Sequence, residues 1–104
     1  MIPEKKVVKA LVDGVEAMGG MCEVFNPTGQ RGRPDRLCTL PQPVGMRLVE
    51  LKRPDGEVKS WQDRDHKRRL SLGVHVRVAY TIEDVDQLLR QWRLQIAERR
   101  QSNW

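Results

Sequence analysis

The sequence predicts an α/β domain in which a small mixed β-sheet is flanked by helices. The spacing of apolar residues along the chain alternates between that of a helix and that of a strand, in the order α-β-β-β-α-β-α. No internal repeat is present. A strand–helix–strand unit in the second half favours a right-handed parallel crossover, whereas strands joined by short loops favour antiparallel pairing. At 104 residues the chain is predicted to form a single domain, with residues 99–104 frayed.

The first half of the chain contains one predicted helix and three predicted strands. Residues 3–18 are expected to be helical because their apolar side chains recur every three or four positions, and a pair of glycines then stops the helix. β-prone stretches at 21–25 and 36–40 are joined by a loop rich in turn formers and arginine. A stronger strand covers 46–52. This half therefore predicts an antiparallel group of strands.

The second half alternates helix, strand and helix. Ser60 is predicted to cap a helix that ends near Leu72, because Asp63 follows it at the spacing of a capping box. Residues 74–80 form a strand with valines on one face. Thr81 repeats the capping pattern before a last helix, whose apolar stripe is Ile82, Val85, Leu88, Leu89, Trp92 and Ile96. We interpret the stripe as core, with a dimer interface as the alternative.

Composition narrows the class of partner. The chain has 19 Lys and Arg against 14 Asp and Glu, a formal net charge of +5. This excess favours a polyanion such as nucleic acid, the alternative being a solvated basic surface. No stretch approaches the ~18 apolar residues of a membrane helix, and residues 1–6 with the amphipathic segment that follows are not expected to act as a signal peptide. We expect a cytoplasmic protein without membrane association, in which Cys22 and Cys38 are buried thiols.

Acidic and basic side chains occur in an order that predicts one site. Glu50 and Lys52 lie two positions apart on a predicted strand, so they point to one face while Val49 and Leu51 point to the other. Asp35 precedes the neighbouring strand, and its carboxylate meets Glu50 if the two strands are adjacent. Buried ionised groups need partners. Two converging carboxylates are ligands that suit Mg²⁺ or Mn²⁺.

The chemistry predicted for this site is metal-dependent phosphodiester hydrolysis. A metal at Asp35 and Glu50, with the backbone carbonyl of Leu51 as a further oxygen, would polarise the phosphodiester and acidify a water. Lys52 would stabilise the negative charge of the transition state. Gln62, early in the next helix, would position water or substrate. Each feature alone is common on protein surfaces, and their order makes the combination specific.

These residues resemble the VRR-Nuc family of the PD-(D/E)XK nuclease superfamily over about residues 3–90. The family pattern has an acid on the first helix, a Gly-x-Pro-Asp turn, a Glu-x-Lys strand, a helical Gln, and a Gly before a valine-rich strand. The chain supplies Glu4, Gly32-Arg33-Pro34-Asp35, Val49-Glu50-Leu51-Lys52, Gln62, and Gly73-Val74-His75-Val76-Arg77-Val78. The resemblance implies a restriction-endonuclease-like core.

The resemblance also implies an activity. It implies Mg²⁺- or Mn²⁺-dependent endonuclease cleavage of DNA, with Asp35 and Glu50 as metal ligands and Lys52 as the catalytic lysine. Small standalone members of phage and bacteria look like homodimeric nucleases of branched DNA, such as four-way (Holliday) junctions. Larger relatives carry the domain at the end of a DNA-repair protein. This chain is similar to the standalone form. An acid on the first helix can complete the metal site, which gives Glu4 this role or merely that of a favourable first-turn residue.

Basic side chains near these residues predict contacts with DNA phosphates. They are Arg31, Arg33, Arg36, His66, Lys67 and Arg69. For Lys67 a solvated helix face is the alternative. Because no base-reading motif is present and aromatic residues make up only 5% of the chain, specificity should come from DNA shape. Two other functions remain open: a nuclease that nicks or trims linear or single-stranded DNA, and a non-catalytic nucleic-acid-binding module. No small-molecule cofactor beyond the metal is expected.

Overall fold

A computed structural model describes residues 5–25, 35–53 and 55–102, and it contains one four-stranded mixed sheet with helices on both faces. The elements in chain order are α1 (Lys5–Ala17), β1 (Met21–Val24), β2 (Arg36–Leu40), β3 (Gly45–Leu51), α2 (Ser60–Ser71), β4 (Val76–Ala79) and α3 (Ile82–Ser102). The predicted order α-β-β-β-α-β-α is therefore confirmed.

The sheet has the strand order β1-β2-β3-β4. β1 pairs with β2 and β2 with β3 in antiparallel fashion, whereas β3 and β4 are parallel across the α2 connection. This is the pairing expected from the loop lengths. Cys22 and Cys38 face each other on β1 and β2, and their Sγ atoms lie 3.7 Å apart as free thiols. Cys38 is buried and Cys22 is half-buried.

The hydrophobic core lies between the sheet and the packed pair of helices α1 and α3. The stripe of α3 faces this core, since Leu88, Leu89, Trp92 and Ile96 are each at most 5% exposed. Burial of each such side chain contributes roughly 1.5–3 kcal/mol. The interpretation of the stripe as core is thus confirmed, and these side chains are not free to form a dimer interface. Ile82, at 38% exposure, lies outside the core.

The start of α2 corrects one prediction. Lys59, not Ser60, is the N-cap, with an extended backbone at φ −74° and ψ 157°. Its backbone N–H donates to Oε1 of Gln62 at 2.9 Å. The Ser60 cap was wrong because Gln62, as the third helical residue, accepts from the Lys59 N–H and so forms the capping-box bond one position earlier than predicted.

Other element boundaries shift by one or two residues. β3 begins and ends one residue earlier than predicted, and β4 is shorter at both ends than the predicted 74–80. α3 continues to Ser102, where the sequence predicted a frayed end. At its start, Thr81 Oγ1 accepts from the Asp84 N–H at 3.1 Å and Asp84 Oδ2 accepts from the Thr81 N–H at 3.1 Å, which confirms this capping box. None of the helices in the described ranges has the length and apolar character needed to traverse a bilayer.

Candidate active site

The pairing of β2 with β3 brings two carboxylates to one end of the sheet. Arg36 pairs with Val49, and the same register places Asp35 beside Glu50. Asp35 Oδ1 accepts a hydrogen bond from the backbone N–H of Leu51 at 3.1 Å, which turns this side chain toward β3. The structure therefore brings together the two acids that the sequence singled out.

The side chains of β3 alternate between the two faces of the sheet, as predicted. Val49 and Leu51 enter the core, with 0% and 4% exposure. Glu50 and Lys52 point to the opposite face, where α2 lies. Lys52 follows the last residue of the strand, yet its backbone N–H still donates to Ala79 O at 2.9 Å and prolongs the alignment with β4. Strand geometry alone thus places an acid and a lysine side by side.

Gln62 connects the acid and the lysine. Its Nε2 donates to Glu50 Oε1 at 2.7 Å, and its Oε1 accepts from Lys52 Nζ at 2.8 Å. The same Oε1 accepts from the Lys59 N–H at the helix start. Glu50 and Gln62 are buried, with 5% and 8% exposure. A single buried amide therefore fixes both charged side chains, and its own position is set by the first turn of α2.

The pKa values of both carboxylates are raised, mainly by burial. Burial is the main reason that the pKa of Glu50 is raised to about 7; the charge of Asp35 adds to this shift, and the positive charge of Lys52 opposes it. Burial also raises the pKa of Asp35, although the Leu51 N–H and the charges of Arg36 and Lys52 oppose that shift. Two neighbouring acids that resist joint ionisation provide the environment that a divalent cation stabilises.

The oxygen ligands at this position fit Mg²⁺ or Mn²⁺. Within the described ranges, no three His, Cys, Asp or Glu side chains cluster closely enough to form a complete metal site. An ion held by Asp35 and Glu50 would take its other ligands from the backbone, water and substrate, as Mg²⁺ commonly does. The Leu51 carbonyl stays a predicted ligand. Glu4, the further predicted ligand, lies outside the described residues.

The site opens into a pocket of about 570 Å³. This volume lies within the roughly 300–1,000 Å³ usual for ligand sites. Besides the four predicted catalytic residues and Leu51, the pocket is lined by Asp55, Gly56, Glu57, Lys59 and Trp61, which the sequence analysis did not select. Trp61 is 38% exposed at the pocket wall. Its position beside Gln62 is the signal that could have identified it, since solvent-exposed tryptophans often contact ligands.

The arginines around Asp35 are only partly within the described residues. Arg36 is half-buried at the start of β2, and its guanidinium donates to Asp35 O at 3.1 Å. It therefore lies beside Asp35 but is not among the residues that line the pocket. Arg31 and Arg33 lie outside the described residues, as does the turn that precedes Asp35.

The predicted DNA-contacting residues of α2 have three different surroundings. Arg69 forms an ion pair with Asp65 at 2.8 Å and lies over the Phe25 ring, 5.5 Å from its centroid. His66 is half-buried, and burial lowers the pKa of its imidazole. Lys67 is 76% exposed and pairs with the carboxylate four positions earlier. Arg69 and His66 thus take part in the packing of α2, while Lys67 is accessible to a polyanion.

A mixed sheet that presents two acids and a lysine at one end is typical of nucleases of the PD-(D/E)XK type. No family profile matches the chain. The chain is 35% identical over 89 residues to "Putative nuclease p44" of Acyrthosiphon pisum secondary endosymbiont phage 1, covering 86% of this chain and 94% of that protein. It also superposes on a solved structure described as "VRR_NUC domain" with a TM-score of 0.76 and 31% identity, covering 86% and 96% of the two chains. The chain belongs to the VRR-Nuc nuclease family.

Replacing Gln62 with alanine should lower the free energy of unfolding at pH 8 by about 2 kcal/mol, because a buried carboxylate and a backbone N–H each lose a partner. Urea denaturation followed by circular dichroism measures this loss. The matched control is Gln87→Ala, at an exposed position of α3. If both substitutions change stability equally, the bonds of Gln62 to Glu50 and Lys59 do not stabilise the fold.

Proposed function

We propose that this protein is a metal-dependent endodeoxyribonuclease that hydrolyses phosphodiester bonds in DNA, with a preference for branched DNA such as four-way junctions. The observation that best supports the activity is the convergence of Asp35, Glu50 and Lys52 on one pocket, with Gln62 bonded to the last two. The proposed setting is the cytoplasm of a bacterial or phage-infected cell.

Mg²⁺ or Mn²⁺ is the proposed cofactor. Asp35 and Glu50 would hold it, with the Leu51 carbonyl as a third protein ligand. When bound, the ion supplies a polarised phosphodiester and a water of lowered pKa. The raised pKa of Glu50, about 7, supports this assignment because the neighbouring cation would restore the charged form of a buried acid.

Lys52 would supply positive charge to the site, and Gln62 would hold the charged side chains in position. The Lys52 ammonium lies at the pocket wall and carries positive charge toward the phosphoryl oxygens, where negative charge develops during hydrolysis. Its bond to Gln62 Oε1 restricts the ammonium to one position. Gln62 acts as a positioning residue, since the same amide also holds Glu50. The side chains are thus oriented before the substrate arrives, which lowers the cost of reaching the transition state.

DNA is the proposed substrate, and a homodimer is the proposed assembly. The net charge of +5 favours a polyanion, and the contacts that the sequence predicts are with phosphates rather than base edges. A C₂ dimer would supply two active sites, as symmetric cutting of a junction requires. Because the apolar stripe of α3 is buried in the core, such a dimer would use another surface.

The test is cleavage of an end-labelled four-way junction beside linear duplex, flap and single-stranded DNA of matched sequence, each with Mg²⁺, Mn²⁺ or EDTA. We expect metal-dependent cutting that is fastest on the junction. Equal cutting of all substrates would keep the nuclease and remove the branch preference. Cutting confined to linear or single-stranded DNA would favour a nicking or trimming enzyme. DNA binding without cutting in any metal would favour the non-catalytic module.

A further inference from the structure

A second pocket lies on the face of the sheet opposite the catalytic pocket. It has a volume of about 260 Å³, and we call it the basic pocket. β3 contributes Arg47, β4 contributes Arg77, and His75 directly precedes β4, while α3 contributes Gln91, Trp92 and Gln95. Leu48 pairs with Val76 in the parallel register, so Arg47 and His75 stand beside each other one position earlier. The parallel pairing thus brings Arg47 together with two basic side chains that are distant from it in sequence.

The arginines of the basic pocket keep their charge available. Arg77 donates to Oε1 of Gln91 at 3.1 Å, and Arg47 donates to the backbone carbonyl of Met46 at 3.3 Å. Both partners are neutral. No carboxylate lines this pocket among the residues that the structure describes. Two guanidinium groups with neutral partners, next to further amide donors, form an environment suited to an anionic group such as a phosphate.

The location of the basic pocket determines which phosphates it would bind. Arg47 precedes Lys52 by five residues of strand, which corresponds to roughly 16 Å. Arg47 and Lys52 also point to opposite faces of the sheet. The basic pocket opens beside α3, whereas Glu50 and Lys52 contact Gln62 of α2. A straight duplex lying against the α2 face of the sheet would leave the basic pocket on the other face unoccupied. Two DNA arms that diverge from a branch point can reach both faces.

We propose that the basic pocket binds backbone phosphates of a second arm of branched DNA while another arm occupies the catalytic pocket. This inference rests on the proposed nuclease function and adds a site that lies outside the catalytic residues. The bound group is the phosphodiester itself, so the contact is independent of sequence and sensitive to salt.

The test compares two double variants that each remove two positive charges. Arg47→Gln with Arg77→Gln alters the basic pocket, while Arg90→Gln with Arg93→Gln alters exposed positions of α3 and serves as the control. Fluorescence anisotropy in EDTA measures the Kd for a four-way junction and for a linear duplex with the sequence of one arm. Thermal melting verifies that each variant is folded, and Arg77→Gln alone replaces the first double variant if that one unfolds.

We expect the Kd of the basic-pocket variant for the junction to rise about tenfold or more, since two charged hydrogen bonds are lost. The Kd of the basic-pocket variant for the duplex should stay within about twofold of the wild-type value. The control variant should keep both its junction Kd and its duplex Kd within the same range. The slope of log K against log salt for the junction should become shallower by about 1.8, or by about 0.9 for Arg77→Gln alone.

Equal weakening of junction and duplex binding, equal weakening in the control variant, or no weakening would each overturn the basic pocket as a second-arm site. Cleavage by the wild type in Mn²⁺ separates this result from the proposed function. Cutting without selective loss of junction binding overturns the basic pocket alone. Selective loss of junction binding without any cutting supports the basic pocket and overturns the nuclease.

Discussion

Replacing Lys52 with alanine should slow DNA cleavage by at least about 10²–10³-fold, while the protein stays folded and still binds DNA. The Lys52 ammonium is the cation held beside Glu50 by the shared amide of Gln62. Its removal takes positive charge away from the place where the transition state becomes more negative. Gln62 keeps its bonds to Glu50 and to the Lys59 N–H, so the start of α2 is preserved. Single-turnover cleavage at saturating Mn²⁺ measures the rate.

Lys9→Ala is the matched control for this prediction. Lys9 also carries one positive charge, but it is 77% exposed on α1 and pairs with Asp13. We expect its cleavage rate to equal that of the wild type. A near-wild-type rate for Lys52→Ala would remove Lys52 from the mechanism, and equal slowing by both substitutions would point to overall charge instead of a catalytic role. Because the Lys52 charge lowers the pKa of Glu50, the pH profile of the residual activity should also move to higher pH.

The faces of the strands could be predicted from the sequence because they depend on local geometry. Alternation along β3 separates Glu50 and Lys52 from the buried Val49 and Leu51, and this holds although the strand ends one residue earlier than expected. The parallel pairing of β3 with β4 followed from the length of the α2 connection. These inferences require only the period of a strand and the length of a connection.

The hydrogen bonds of Gln62 and the grouping of residues in the basic pocket could not be predicted, because they depend on tertiary packing. The sequence predicted that Gln62 positions water or substrate, but it did not show that the Gln62 amide links Glu50 to Lys52 and also holds the helix start. The basic pocket was missed for the same reason. Arg47 and Arg77 are separated by 29 intervening residues and share a pocket only through the register of β3 with β4.

Replacing Glu50 with glutamine should stabilise the metal-free protein at pH 8 and abolish metal-dependent cleavage. The pKa of Glu50 is about 7 in the folded protein, above its ordinary value of 4.5. Between these values the unfolded chain has lost the proton that the folded protein retains, so stability falls as pH rises from about 4.5 to 7 and then levels off. The total loss is on the order of 3 kcal/mol. Glutamine carries no charge and should largely remove this dependence.

The midpoint of thermal unfolding between pH 5 and 8, with EDTA or Mn²⁺, measures both parts of the prediction. In EDTA the wild type should lose stability across this range, and Glu50→Gln should lose much less. The remaining contributions include Asp35, whose raised pKa also lowers stability as pH rises, and His66, whose lowered pKa acts in the opposite direction. Mn²⁺ at pH 8 should stabilise the wild type, since it binds the folded site, and have little effect on the variant. Glu98→Gln, at an exposed position of α3, controls for the loss of one negative charge and should behave like the wild type. Undiminished stabilisation of Glu50→Gln by Mn²⁺ would show that Glu50 is not a metal ligand, and an unchanged pH dependence would show that its burial is not what destabilises the folded protein.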